Sequence, residues 1–353
     1  MFSINSLPGL FIIFSPKLLG NFSPKLITTC LCIMVALALI VVSQAQQWIF
    51  ITLGMLTLST GQFLIYTIVC TLSTQNASNR ANAQQKLARI RSFGPIAMLS
   101  SSLIVILILP YTRYLLLFIS TACLILLAAF YTYRFTTWHR PKEHVTNIHF
   151  TKHLWSYYLM NFLSGSRSIL FRAFVITLLV REFEFNMSNT SGLALASSIA
   201  GFIGYRLIAS LSTRLSPRLI LGSSYTLVGF LFIGFSLIKI PEVLIILYII
   251  DSMIFGVSVV TDSTLKVLLK PSELAGQLST GQAIFHAAGI ILPLISGLII
   301  TLTDNLTVVF LFAASLAWLA ALTSQKHCSI VDKFENSGTT IDINRAVFNC
   351  IQN

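Results

Sequence analysis

Charged residues are scarce in this chain: they make up only 10% of its residues, whereas hydrophobic residues make up 55%. A soluble globular domain contains about 25% charged residues on average, so this composition excludes a water-soluble protein and indicates an integral membrane protein. The formal net charge of +12 would suggest nucleic-acid binding in a soluble chain. Here the basic residues lie in short segments between apolar runs, as in cytoplasmic loops facing anionic lipid. We therefore expect membrane lipid, and no nucleic acid, as a partner.

Sequence motifs of pumps, hydrolases and metal sites are also missing. The chain contains no Walker loop, no HExxH motif and no nucleophile elbow, so neither an ATP-driven pump nor an enzyme of these classes is indicated. Its six cysteines include no CxxC pair, which leaves a disulfide framework or a zinc site without support. We predict a protein that is not an enzyme and that uses no cofactor and no metal.

Apolar runs alternate with short polar turns along the whole chain. A spanning helix needs about 20 apolar residues, and the first run is short enough to be the end of such a helix. It has neither the basic start nor the cleavage site of a signal peptide. The pattern predicts eleven spans, near residues 1–15, 28–43, 49–72, 94–110, 114–133, 154–180, 190–208, 219–238, 243–265, 279–302 and 306–324.

The basic residues orient these spans in the membrane. If the segment 16–27 is cytoplasmic, eighteen of the 23 lysines and arginines lie on the cytoplasmic side. The other five are three outer residues and two within one span: Arg113, Arg181, Lys239, Arg167 and Arg172. Such asymmetry follows the positive-inside rule. We predict a multi-pass protein of the cell's inner or plasma membrane with a cytoplasmic C-terminus.

The longest internal loop divides the chain into two parts. Residues 134–153 are polar and separate five spans from six, so we predict a five-helix bundle at 1–133, a cytoplasmic linker at 134–153 and a six-helix bundle at 154–325. The tail 326–353 is polar, carries mixed charge and shows no sustained apolar period. We predict that it is disordered in the cytoplasm.

One short polar turn occurs twice, about half the chain apart. Residues 16–27 read PKLLGNFSPKLI and residues 209–220 read ASLSTRLSPRLI, with a leucine, a Ser-Pro pair, a cation and Leu-Ile in the same order. A repeat of this length is typical of a membrane protein built from two similar bundles.

With this repeat, the chain resembles the major facilitator superfamily. Members of that family have twelve helices in two halves of six, a basic middle loop, and a motif close to Gly-x-Leu-Ala-Asp-Arg-x-Gly-Arg-Arg between the second and third helix of each half. The first copy here keeps Leu18 and Lys25 but has Gly20 and Asn21 in place of the motif's aspartate and arginine. The second copy keeps four residues of the motif or its Gly-Pro-Arg variant: Leu211, Arg214, Pro217 and Arg218.

The resemblance implies an all-α membrane protein with a two-bundle fold of about eleven spanning helices, five plus six. The family's first helix is then missing, because translation begins upstream of Met1 or because the gene is shortened. It implies a monomeric secondary transporter, a symporter or antiporter that moves a small solute by alternating access. Lys25, Arg214 and Arg218 would belong to its gating loops. The alternative is a non-transporting scaffold or a degenerate, truncated paralogue.

Polar residues within the spans are the candidates for a solute site. In span 154–180, Asn161, Gly165, Ser168 and Arg172 share one helical face, and by the resemblance this is the seventh, cavity-lining helix. Asp251 lies at a similar depth in span 243–265. We predict an Arg172–Asp251 pair that couples a proton or an anionic solute to a conformational change. A static pair that only joins two helices is the alternative.

Five further residues complete the candidate site. Arg167 would bind a substrate anion or be satisfied by carbonyls and serines of a neighbouring helix, and His286 would relay a proton or serve in packing. Asp262, near the cytoplasmic end, is predicted to make a gating or capping contact. Gln62 and Tyr66 on the fourth helix would recognise solute by hydrogen bonds and stacking. The polarity of these residues favours a polar or anionic solute.

Overall fold

The computed structural model describes residues 2–108, 114–135 and 150–337, and within these ranges the chain is built from α-helices without a β-sheet. The helices before the linker are α1 Phe2–Leu10, α2 Ser15–Asn21, α3 Pro24–Gln44, α4 Trp48–Gln75, α5 Arg80–Ile108 and α6 Tyr114–Phe135. Those after it are α7 Trp155–Leu170, α8 Ile176–Phe183, α9 Met187–Leu211, α10 Pro217–Leu237, α11 Pro241–Ile254, α12 Ser258–Leu268, α13 Pro271–Thr303 and α14 Leu306–Ser337.

Three pairs of these helices form continuous spans with an irregular turn between their members. A 3₁₀ turn at Phe11–Phe14 joins α1 to α2, a π-helical turn at Phe171–Val175 joins α7 to α8, and a 3₁₀ turn at Phe255–Val257 joins α11 to α12. The described ranges then contain eleven spans, of which nine are long and apolar enough to cross a membrane by themselves. The prediction of an all-α, multi-pass membrane protein with about eleven helices is confirmed.

The repeated Ser-Pro turn builds the same local structure in both halves. Ser23 and Ser216 are the N-caps of α3 and α10, and each side-chain oxygen accepts a hydrogen bond at 3.3 Å from a backbone N–H, that of Leu26 or Leu219. The following proline occupies the first helical turn, where its missing N–H leaves no bond unmade. Both helices are 21 residues long. Most extensively, α3 packs against α6 and α10 packs against α14, so the structure repeats as the sequence does.

Two antiparallel helix pairs connect the first half, α1 to α6, with the second half, α7 to α14. They are α1 with α13 and α5 with α9. Small residues permit the close approach: a Cβ atom at Gly9 of α1 would overlap the ring of His286 on α13, and one at Gly201 of α9 would lie 3.4 Å from the ring of Pro95 on α5. Such small-residue contacts are typical of helices packed within a membrane.

Gly165 sets the distance between α7 and α13. We expect Gly165→Ala to lower the melting temperature of the detergent-purified protein, because the added Cβ would overlap the backbone carbonyl of Phe285, which cannot rotate away. Overpacking of this kind costs about 1–3 kcal/mol. Gly297→Ala is the matched control, since it also replaces a glycine of a long helix and no atom lies within 4 Å of the added Cβ. Equal melting temperatures for the two variants would contradict the close packing of α7 on α13.

The C-terminal helix extends further than the sequence pattern suggested. The predicted span ended at residue 324, but α14 continues to Ser337, so the predicted disorder is wrong for residues 326–337. Buried contacts hold this extension: His327 Nδ1 lies 3.0 Å from the hydroxyl of Ser156, and its Nε2 lies 2.9 Å from that of Thr264. Residues 338–353 and the interior of the predicted linker, residues 136–149, lie outside the described residues.

Candidate functional site

Arg167 of α7 and Asp251 of α11 form a buried ion pair inside the second half. Arg167 Nη2 and Nε lie 2.8 and 3.2 Å from Asp251 Oδ1, and Nη2 also donates to the backbone carbonyl oxygen of Asp251 at 2.8 Å. The two side chains are 4% and 1% exposed. The guanidinium carbon lies 5.5 Å from the centre of the Phe255 ring. Asp251 Oδ2 is buried and has no hydrogen-bond partner among the described residues, so within them the carboxylate keeps one acceptor free.

This pairing corrects the sequence-based one. Asp251 was predicted to pair with Arg172, but Arg172 instead folds back along its own helix and donates to Ser168, from Nε to the backbone oxygen at 3.2 Å and from Nη2 to the hydroxyl at 2.7 Å. A similar depth along two spans does not determine which side chains meet, because an arginine side chain is long and a π-helical turn starts at Phe171. Of the two open alternatives for Arg167, contact with a neighbouring helix is the one observed, and its partner is a carboxylate.

The rest of the predicted polar stripe packs inside the second half. Asn161 is buried and donates to the backbone carbonyl oxygen of Tyr157 at 3.0 Å. Gly165 lies against α13, and Ser168 accepts the hydrogen bond of Arg172. The stripe therefore faces protein and not lipid.

A second buried ion pair joins the two halves. Arg91 of α5 bonds through Nη2 to Asp262 Oδ2 of α12, and the side chains are 3% and 2% exposed. Arg91 Nη1 donates to the hydroxyl of Ser258 at 3.1 Å, and the hydroxyl of Tyr157 donates to Asp262 Oδ1 at 3.1 Å. Gln282 Nε2 of α13 lies 3.4 Å from Asp262 Oδ2. We call these five residues the interbundle network.

Arg91 is a functional candidate that the sequence reasoning missed. It was counted among the loop charges because the predicted span began at residue 94, but α5 begins at Arg80. A signal was present: Ala83, Leu87 and Arg91 recur at every fourth position, and all three are buried. Asp262 was expected to make a gating or capping contact near the membrane surface, and it is buried in a contact between the halves.

Tyr66 lies beside the interbundle network, and Gln62 does not contact it directly. The guanidinium carbon of Arg91 is 5.5 Å from the centre of the Tyr66 ring. Tyr66 also packs with Tyr205 and Val259 of the second half. Gln62 lies one turn earlier on the same face of α4 and is exposed.

His286 packs between the halves. Its ring centre lies 4.1 Å from that of Phe63 on α4, and the ring contacts Gly9 of α1. Within the residues that the structure describes, the His286 ring makes no hydrogen bond. This geometry matches the packing alternative, and the relay role stays a prediction.

The cations of the repeated turn each contact the last helix of their own half. Lys25 lies over the ring of Tyr133 on α6, 5.1 Å from its centre, and the equivalent Arg218 pairs with Asp332 on α14 at 3.0 Å. Arg214 is exposed. Lys25 and Arg218 therefore hold each turn against the last helix of its own half.

Further contacts between the halves lie at the end of the bundle that carries the two Ser-Pro turns, which we call the Ser-Pro end. Ser15 Oγ is 2.7 Å from Ser279 Oγ, and Lys266 donates to the backbone oxygen of Gln75 at 3.2 Å. Together with the interbundle network, these contacts join the two halves at the Ser-Pro end.

Comparison with known proteins finds relatives in structure only. The sequence matches no family model and no curated protein. A variant of the Escherichia coli fucose:proton symporter FucP is similar in structure, with a TM-score of 0.72 and 15% identity over 92% of this chain and 90% of that one. A second structure of FucP, described as a major facilitator superfamily transporter in the outward conformation, is similar with a TM-score of 0.69. Its sequence identity is 13%, over 92% of this chain and 87% of that one.

A third similar structure is the human organic anion transporter MFSD10 (TETRAN), with a TM-score of 0.65 and 12% identity over 92% of this chain and 83% of that one. At identities this low, the similarity supports a shared fold only. All three similarities extend over 92% of this chain. Together with the internal repeat and the eleven spans, they show that this protein has the fold of the major facilitator superfamily.

Proposed function

We propose that this protein is a secondary active transporter that moves a small polar or anionic solute across the membrane by alternating access. The observation that carries the proposal is the interbundle network, in which Arg91 and Asp262 form a buried ion pair across the two halves. Alternating access needs contacts that close one end of the bundle and can be broken again. A transporter role, rather than an enzyme, also agrees with the neighbours, which are described as transporters.

A buried ion pair suits such a reversible contact. The free energy needed to remove two charges from water nearly cancels their mutual attraction, so the pair adds little net stability. Removing one partner is strongly destabilising, because the other charge stays buried without its counter-ion. When the halves separate, water can solvate both Arg91 and Asp262. The closed and open states therefore differ little in free energy, which a solute or proton can bias.

The Arg167–Asp251 pair supplies a site where a proton could act. In the part of the chain that the structure describes, Asp251 Oδ2 has no hydrogen-bond partner, so it could take up a proton, and protonation would remove the charge that holds Arg167. Arg167 would then be released to bind an anion or to change its helix contact. In this proposal the pair couples a proton gradient to the solute, as a symporter or antiporter does. One structural neighbour is a fucose:proton symporter.

The basic residues orient the bundle in the proposed cell membrane. Lys25, Arg89, Arg214 and Arg218 lie at or near the Ser-Pro end, and basic residues collect on the cytoplasmic side. We place that end and the C-terminus in the cytoplasm of a plasma or inner membrane, with the protein acting as a monomer. The structure is then closed to the cytoplasm and corresponds to an outward-facing state.

The proposal is tested with purified protein reconstituted into liposomes. We expect at least one solute of a panel of neutral sugars and carboxylate anions to accumulate when a pH gradient is imposed, and to stop accumulating when a protonophore dissipates the gradient. Uptake driven by the solute gradient alone would support a transporter without proton coupling. A folded, reconstituted protein that moves no solute in either direction would support the scaffold alternative.

A further inference from the structure

Three arginines and two aspartates lie well inside the described spans: Arg91, Arg167, Arg172, Asp251 and Asp262. Arg91 pairs with Asp262, and Arg167 pairs with Asp251. In the described part of the chain, Arg172 has no carboxylate within 4 Å. Of the three arginines, Arg172 is therefore the one whose charge is balanced by no nearby carboxylate of the described residues.

Hydrogen bonds to Ser168 hold Arg172 in place, but they do not use all of its N–H donors. Its Nε and Nη2 donate to Ser168, and within the described ranges its Nη1 has no hydrogen-bond partner. The residue is exposed although it lies in the middle of a span. The stripe that it continues is buried against protein at Asn161 and Gly165, and by helical spacing Arg172 lies on the same side of the span.

Aromatic residues lie around Arg172. Tyr248, Tyr205 and His286, which come from α11, α9 and α13, lie within electrostatic range of its guanidinium. Tyr248 stacks on Phe171 with ring centres 4.6 Å apart. Phe171 also begins the π-helical turn Phe171–Val175, and such turns are frequent at functional sites. Four spans thus converge on one cation.

A cation without a counter-ion near the middle of a span would be stabilised by a bound anion. An arginine near the middle of a span costs about 2.5–3.5 kcal/mol on insertion scales, and such residues usually pair with an opposite charge or face a pathway. We infer that Arg172 binds the carboxylate of an organic monoanion, and that this monocarboxylate is the transported solute. The inference rests on the proposed transporter function and names its substrate class.

The charge of Arg172 and the residues around it favour a monocarboxylate over a dicarboxylate. One carboxylate would neutralise the charge of Arg172, whereas the second carboxylate of a dicarboxylate would have no free cation beside it, because Arg91 and Arg167 are already paired. Nη1 of Arg172 can complete a two-point contact with a planar carboxylate if Nη2 shares its bond to Ser168. Tyr248 and Tyr205 provide apolar surface for the body of the solute and hydroxyls for a polar substituent.

The binding test uses two monocarboxylates and their neutral amides. We expect titration calorimetry of the purified protein to show binding of benzoate or lactate and much weaker binding of benzamide and lactamide. Arg172→Gln should weaken the anion at least about ten-fold, because a charge-assisted hydrogen bond is lost. Arg172→Lys keeps the charge without the planar guanidinium. Its affinity for the anion should therefore lie between those of the unchanged protein and Arg172→Gln.

Arg181→Gln is the matched control, since it removes an arginine of the same span that is 58% exposed and pairs with Asp304 at 3.6 Å. It should bind the anion as the unchanged protein does. Melting curves establish that each variant is folded. No binding of either monocarboxylate by the folded protein, or equal binding by Arg172→Gln, would overturn the inference.

Uptake into liposomes separates this inference from the transporter proposal. If the unchanged protein takes up benzoate or lactate and Arg172→Gln does not, the result supports both the anion site and the transporter proposal. Uptake of neutral solutes alone overturns the anion site and leaves the transporter standing. Binding of the anion without uptake of any solute leaves the Arg172 site standing and overturns the transporter.

Discussion

Replacing Asp251 with asparagine is expected to lower the free energy of unfolding by about 3–5 kcal/mol and to abolish proton-driven uptake. Asparagine keeps an acceptor for Arg167 but removes the negative charge, so a buried guanidinium is left without its counter-ion. The same change removes the carboxylate that would take up the proton. Thermal melting of the purified variant measures the first effect, and uptake into liposomes under an imposed pH gradient measures the second.

A double variant separates these two effects. In Arg167→Met with Asp251→Leu, both charges are replaced by apolar side chains of similar volume, and such exchanges are often neutral or stabilising. We expect this protein to melt near the temperature of the unchanged one and still to lack proton-driven uptake. Full uptake by the double variant would mean that the pair is a static contact between α7 and α11, which is the alternative left open by the sequence.

An exposed pair in the same half provides the control for Asp251. Lys239 and Glu182 lie 2.8 Å apart with side chains 61% and 35% exposed, and exposed pairs contribute about 0–1 kcal/mol. Glu182→Gln should therefore leave both melting and uptake close to those of the unchanged protein. A loss of stability as large as that of Asp251→Asn would show that charge removal at any position is harmful.

The parts of the fold that the sequence predicted well depend on local or repeated features. Composition and the length of the apolar runs determine that the chain spans a membrane, and the bonds that cap α3 and α10 join residues only three positions apart. Ser23 and Ser216 could therefore be recognised as equivalent from a dozen residues each. The end of α14 was missed because its buried polar residue, His327, is satisfied by hydroxyls from two other helices.

The partners within the site depend on distances that sequence spacing does not contain. The pattern placed Arg172 and Asp251 at one depth, but the choice of Arg167 depends on how α7 and α11 pack and on the π-helical turn between α7 and α8. Arg91 was missed for a related reason: a charged first turn lowers the mean hydropathy of α5 and hides where the helix begins. Which charges meet across the two halves is a property of the folded bundle.

Breaking the Arg91–Asp262 pair is expected to open the Ser-Pro end. In Arg91→Gln, Asp262 would stay buried and unpaired when the halves are closed but would be hydrated when they are open. Losing one partner of a buried pair costs about 3–5 kcal/mol, which changes the ratio of closed to open molecules by roughly a hundredfold to a few thousandfold. The closed state would then be a minor species, and uptake would fall because the cycle could not return to it.

Distances between spin labels measure this change directly. In a cysteine-free background, labels at Ser78→Cys and Thr213→Cys report on the Ser-Pro end, because the two exposed positions lie in the turns after α4 and α9. Labels at Gln46→Cys and Ile240→Cys report on the opposite end. We expect Arg91→Gln to lengthen the first distance and to shorten the second. The charge-swapped protein, Arg91→Asp with Asp262→Arg, should recover part of the closed population.

Arg80 provides the control that tests burial itself. It also lies on α5 and pairs across the halves, with Glu335 of α14 at 3.1 Å, but the two side chains are 20% and 45% exposed. Water already solvates part of this pair in the closed state, so opening gains little, and Arg80→Gln should shift neither distance appreciably. If Arg80→Gln opened the Ser-Pro end as far as Arg91→Gln does, interbundle charge in general would hold the bundle closed. If neither did, the apolar packing of α1 on α13 and of α5 on α9 would be the gate.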